Sequence, residues 1–103
     1  MNSVNLIGNL GKDPETKYFE SGTVKVTFSI AVKGFKKEDT YWIDIEAWGK
    51  TAELIAERFT KGSRIGIMGR LTTSQYEKDG QKRTKTFVTV DSIDFLDKKK
   101  EEQ

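Results

Sequence analysis

Between residues 23 and 33 apolar and polar side chains alternate without a break. Val24, Val26, Phe28, Ile30 and Val32 fall on one side, and Lys25, Thr27, Ser29, Ala31 and Lys33 on the other. A period of two marks a strand with one face on a core and one toward water. Residues 41–48 repeat the pattern, which turns Tyr41, Ile43, Ile45 and Ala47 inward and Trp42, Asp44, Glu46 and Trp48 outward. A shorter strand is expected at Val4–Leu10, closed by a turn at Gly11-Lys12-Asp13-Pro14. The charged stretch from Lys33 to Thr40 reads as a loop carrying one aromatic, Phe35.

The period changes at residues 50–60. Ala52, Ile55, Ala56 and Phe59 follow the spacing of one short amphipathic helix. Thr51 is the expected N-cap, Glu53 suits the first turn, Arg58 the last, and Gly62 the stop. Arg64–Thr72 then returns to strand, with Ile65, Ile67 and Leu71 on one face. Residues 70–77 and 81–90 form a long hairpin around Asp79-Gly80, a strong hairpin-turn signal. Ile93 and Phe95 close the last strand. Three strands, a helix and two more strands describe an all-β, five-stranded Greek-key barrel. Its helix lies between strands three and four, its hairpin protrudes, and this is the OB-fold layout. An immunoglobulin-like sandwich would need about seven strands and no mid-chain helix. The barrel is expected to occupy residues 1–97, with 98–103 a frayed polar end.

At 103 residues the chain is one domain's worth. It has no cysteine and no histidine, which removes disulfides, thiolate chemistry and the commonest general base and metal ligand. No apolar run approaches the ~20 residues of a membrane helix. The start, Met1-Asn2-Ser3-Val4, lacks a signal peptide's basic and apolar regions. Gly49-Lys50-Thr51 resembles the end of a phosphate-binding loop, but Asp44 stands where the loop's first glycine belongs. The expectation is an intracellular binding domain, not an enzyme, with no cofactor, no metal and no membrane contact.

The formal charge of +2 conceals segregation along the chain. Residues 38–60 carry −4, while residues 61–85 carry +5 from Lys61, Arg64, Arg70, Lys78, Lys82, Arg83 and Lys85 against two acids. Such a stretch can line a groove for an anionic polymer. Aromatics recur beside these cations. Trp42 and Trp48 share the outward face of one strand, Tyr76 stands on the hairpin among polar residues, and Phe35 lies between Lys33 and Lys36-Lys37. Packing under a loop or in a subunit interface competes with a role as stacking platform. The co-occurrence of aromatics and cations in three segments favours stacking on nucleobases, because every base has a π-face.

Over residues 4–96 the chain resembles bacterial-type single-stranded DNA-binding proteins. The resemblance rests on Asn5-Leu6-Ile7-Gly8-Asn9-Leu10-Gly11-Lys12-Asp13-Pro14-Glu15, Lys17-Tyr18-Phe19 and Thr40-Tyr41-Trp42. It continues through Trp48-Gly49-Lys50-Thr51-Ala52-Glu53, Lys61-Gly62-Ser63, Gly69-Arg70-Leu71, Tyr76 and Asp79-Gly80. It implies an OB-fold homotetramer that binds and protects single-stranded DNA in replication, repair and recombination, in the cytoplasm with the nucleoid or in an organelle of bacterial descent. The family's stacking positions fall on Trp42, Trp48 and Tyr76, with the loop aromatic near Phe35. Its phosphate contacts fall on Lys50 and Lys61, and by region on Arg70, Lys78, Lys82, Arg83 and Lys85; Lys33, beside Phe35, is a further candidate for nucleic-acid binding. The resemblance also implies a part for Val4–Leu10 in subunit pairing.

Two features depart from the family pattern. Asp44 and Glu46 stand where many relatives are neutral or basic, so a weaker electrostatic platform is expected. The family's long linker and acidic tip, which recruits replication and repair enzymes, has no counterpart before Glu101-Glu102-Gln103, so such recruitment is not expected of these residues. An RNA-binding OB domain and a purely protein-binding OB module remain open on residues alone. Competition between matched DNA and RNA oligonucleotides separates the first, and tryptophan fluorescence with oligo-dT the second.

Overall fold

The computed structural model describes residues 1–96, so the polar end expected at 98–103 lies outside the described residues. In chain order the elements are β1 (Val4–Leu10), β2 (Glu15–Tyr18), β3 (Val24–Lys33), β4 (Thr40–Trp48), α1 (Gly49–Arg58), β5 (Arg64–Lys78) and β6 (Gln81–Phe95). The strands follow the order β1-β5-β6-β4-β3-β2, and β1 also pairs with β3. That extra pairing, through Asn9 with Ala31 and Leu10 with Ile30, returns the sheet to its starting strand. Five strands therefore form a closed barrel, and β2 hangs on the outside of β3. All ladders are antiparallel except β4 with β6. This is the OB-fold arrangement.

The sixth strand is the addition to the expected five. β2 reads Glu15-Thr16-Lys17-Tyr18 and is exposed throughout, so no apolar alternation announces it. The helix also differs from expectation. It begins at Gly49, whose φ of +66° breaks the chain away from the extended Trp48, and no side chain caps it. Thr51 and Glu53 thus fall inside the helix and past its first turn, while Arg58 keeps its place in the last.

Inside the barrel, Val26, Ile30, Ile45, Ile65, Ile67 and Val88 are fully buried, with Ile55 of α1 against them. Each such side chain stabilises the fold by roughly 1.5–3 kcal/mol. Tyr41, expected to point inward, is half-exposed beside Gly34 in the loop before β4. Gly69 sets the closest approach in the barrel wall: a Cβ there would meet the Thr89 carbonyl oxygen at 2.1 Å. At the same place the β5–β6 register shifts, because Met68 faces Ser92 while Gly69 faces Val90. Asp91 is the extra residue of this bulge, which adds bend and twist where barrel wall becomes hairpin.

Beyond the wall, β5 and β6 continue as one two-stranded arm out to Lys78 and Gln81. Its tip, Asp79-Gly80, has positive φ at both residues (56° and 78°), the backbone that a two-residue turn between twisted strands requires. At the arm's root the Asn2 side chain pairs with Leu71 as a backbone would. Its Oδ1 accepts the Leu71 N–H at 2.7 Å and its Nδ2 donates to the Leu71 carbonyl at 2.9 Å.

Candidate nucleic-acid interface

Because side chains alternate, the buried set Ile45 and Ala47 forces Trp42, Asp44, Glu46 and Trp48 onto the outer face of β4. The register adds their neighbours: Ala31 beside Trp42, Ser29 beside Asp44, Thr27 beside Glu46 and Lys25 beside Trp48. On the other side β6 brings Thr89 against Glu46. The same parity carries along the arm, so Phe87, Lys85 and Arg83 share this face with Thr72, Ser74 and Tyr76 directly opposite. One surface therefore runs from β2 across β3 and β4 to the arm.

The aromatics on it differ in how they are held. Trp42 is 61% exposed, and its ring rests against Gly11, where a Cβ would come within 2.4 Å of Cζ3. Trp48, 42% exposed, is more constrained. Its ring stacks on Phe19 at 5.7 Å between centroids, Lys25 Nζ lies 5.5 Å from the ring centre, and its indole N–H donates to Glu46 Oε2 at 2.8 Å. Lys17 Nζ extends the cluster, 5.2 Å from the Phe19 centroid. Tyr76 is half-exposed, and Phe35 is 99% exposed in its loop.

Two clefts connect these pieces. One, of about 470 Å³, is lined by Lys25, Asp44, Glu46, Ser74, Lys85 and Phe87 among others. The second, of about 700 Å³, joins Asp44 to Tyr76, Thr84 and Lys85. The structure thus brings Trp42, Trp48, Tyr76, Arg83 and Lys85 onto one face. Lys33 ends β3 next to Thr40, and Lys78 shares the Tyr76 face at the arm's tip. Lys82 pairs with Glu77 on the opposite face of the arm. Arg70 lies on the same outer parity but is ion-paired to Asp91. Lys50 stands on α1, and Lys61 in the following turn, where its backbone N–H donates to Asp13 Oδ1 at 2.7 Å.

Among the described residues, Lys33, Lys50, Lys61, Lys78, Lys82, Arg83 and Lys85 take part in no ion pair. Their charges are open to an anion. Sequence reasoning passed over Lys25 and Phe19 as site residues. Lys25 stood on the outward side of its strand and Phe19 in a matched stretch, but only the register places them around Trp48. Among the described residues no cluster of acidic side chains could hold a metal ion, and no helix is long and apolar enough to cross a membrane.

A closed barrel with a helix after its β3–β4 hairpin, an extended arm and open aromatics on the outer β3–β4 face defines the OB-fold class of binding domain. The family described as the single-strand binding protein family matches residues 1–96. A Synechocystis relative named single-stranded DNA-binding protein 1 is 42% identical over 98% of this chain and 88% of its own length. Relatives named single-stranded DNA-binding protein from Clostridium perfringens and Thermosynechococcus vestitus are 45% and 38% identical. They align over 94% and 98% of this chain, and over 67% and 87% of their own lengths. The chain belongs to the single-strand binding protein family.

Proposed function

We propose that the protein binds single-stranded DNA without sequence preference, serving replication, repair and recombination, and that it acts by binding rather than catalysis. The observation that carries this reading is the shared face of Trp42, Trp48 and Tyr76 with the open cations Arg83 and Lys85. In OB-fold single-strand binders generally, stacking is worth ~1–3 kcal/mol per base. Phosphate contacts add affinity but no sequence information. Trp42, Trp48, Tyr76 and Phe35 are the proposed stacking residues. Lys33, Lys50, Lys61, Lys78, Lys82, Arg83, Lys85 and, once released from Asp91, Arg70 are the proposed phosphate contacts.

The working form is proposed to be a homotetramer in the cytoplasm with the nucleoid. Its support is β1, whose Ile7 is half-exposed beside a shallow cleft lined by Asn5, Ile67 and Met68. Titrating intrinsic tryptophan fluorescence with oligo-dT, against a matched RNA oligonucleotide, tests the function. Strong quenching by DNA is expected, and unchanged emission with no measurable binding would refute it.

A further inference from the structure

Glu46 lies in the middle of a face assigned above to a polyanion, where a carboxylate should weaken binding by charge alone. Both of its oxygens are engaged. Oε2 accepts the Trp48 indole N–H at 2.8 Å, and Oε1 lies 3.3 Å from Lys25 Nζ. Lys25 in turn covers the Trp48 ring, and Phe19 stacks on it. An indole has one polar handle, its N–H. Contact with Phe19 alone leaves the ring free to tilt about χ1 and χ2, whereas a hydrogen bond at its N–H edge holds both angles and so the plane of the ring. The carboxylate of Asp44, two residues earlier on the same face, takes part in no hydrogen bond or ion pair among the described residues. The two carboxylates are therefore not equivalent.

From this geometry we propose that Glu46 is a positioning residue: it fixes the plane in which Trp48 meets a nucleobase, while Lys25 neutralises its charge. This rests on the proposed function and deepens it. Its consequence runs against simple electrostatics, because truncating an acidic side chain on this face should weaken DNA binding at Glu46, where the indole loses its acceptor, and strengthen it at Asp44. Glutamine retains an oxygen for the indole N–H, so Glu46→Gln separates the acceptor from the charge.

The test uses the full chain as wild type, Glu46→Ala, Glu46→Gln and Asp44→Ala, with oligo-dT titrations over a salt series. Indole N–H resonances are recorded without DNA. In Glu46→Ala the Trp48 indole proton should move upfield and exchange faster with water, and affinity should fall about three- to tenfold, part of one stacked ring. Glu46→Gln should keep the resonance and bind at least as tightly. Freeing Lys25 for one more phosphate should steepen its salt slope by up to about 0.7. Asp44→Ala should tighten binding. An unmoved Trp48 resonance in Glu46→Ala, or tightening equal to that of Asp44→Ala, would overturn the proposal.

Should Glu46→Ala fail to fold, Trp48→Phe removes the N–H and keeps a ring. Adding Glu46→Gln to it should then cost no further affinity and should steepen the salt slope as Lys25 is freed, and a further loss of affinity overturns the proposal. A wild-type protein that ignores oligo-dT refutes the binding function instead, and the resonance read without DNA tells the two failures apart.

Discussion

The six-membered ring of Trp42 lies directly against Gly11, so closely that a methyl group on the glycine would come within 2.4 Å of Cζ3. Gly11 opens the turn out of β1, and its N–H donates to the Ser29 carbonyl at 3.0 Å, which holds the chain over β3 next to Trp42. Backbone rather than side chain supports this aromatic. Gly11→Ala is therefore expected to push the ring off its seat and to reproduce much of the loss from Trp42→Ala, ~1–3 kcal/mol of oligo-dT affinity. Thermal unfolding should move little, since Trp42 lies outside the core. Paired fluorescence titrations and circular-dichroism melts check both, and unchanged affinity would mean that the ring's seat is immaterial.

The two tryptophans should separate in a stability experiment. Trp42→Ala removes an open ring and should leave the melting temperature near wild type. Trp48→Ala also loses the Phe19 stack and the Glu46 hydrogen bond, each worth roughly 1 kcal/mol. A measurable fall in melting temperature is expected for Trp48→Ala alone.

The arm's register makes its cations unequal. Arg83 and Lys85 face the same way as Tyr76, whereas Lys82 sits opposite Glu77 on the other side. Changing Arg83 and Lys85 together to Ala should flatten the slope of log affinity against log salt by about 1.4, at ~0.7 per phosphate lost from a single strand. Lys82→Ala should alter the slope less than either single change. Equal effects from all three would show that the strand wraps both faces of the arm.

Assembly is addressed through β1. Light scattering without DNA should give about four times the 11.7 kDa of one chain. Ile7→Lys places a charge on the half-exposed outer side of β1 and should lower that mass. A monomeric wild type at micromolar concentration would refute the tetramer.

Alternation was legible wherever one face of a strand is buried, as in β3, whose buried residues are those its pattern assigned inward. β2 escaped because all four of its residues are exposed, leaving pairing with β3 as its sole cause. The helix start was misplaced because Thr51 offers a capping hydroxyl, whereas a positive φ at Gly49 makes the break. The site divided along the same line. Trp42, Trp48 and Tyr76 follow from parity within single strands. Phe19 against Trp48, Lys25 between Trp48 and Glu46, and Gly11 under Trp42 join separate elements. No one-dimensional period carries such neighbours. Leu71 shows the opposite limit, since it keeps the parity of Ile65 and Ile67 yet is half-exposed because it stands at the arm's root.

The arm is a continuation of two barrel strands, with its bulge confined to Asp91 at the wall. Its length is consequently an independent variable. Two residues added to each strand would carry the tip about 7 Å farther out, at ~3.4 Å per residue, and leave Tyr76, Arg83 and Lys85 facing as they do now. A single residue added to each strand between the wall and Tyr76 would turn that set to the far side and bring Glu77 and Lys82 round in its place. Natural variation in this hairpin should therefore come in even steps per strand, with reach as the quantity that changes and the side presented to the strand held constant.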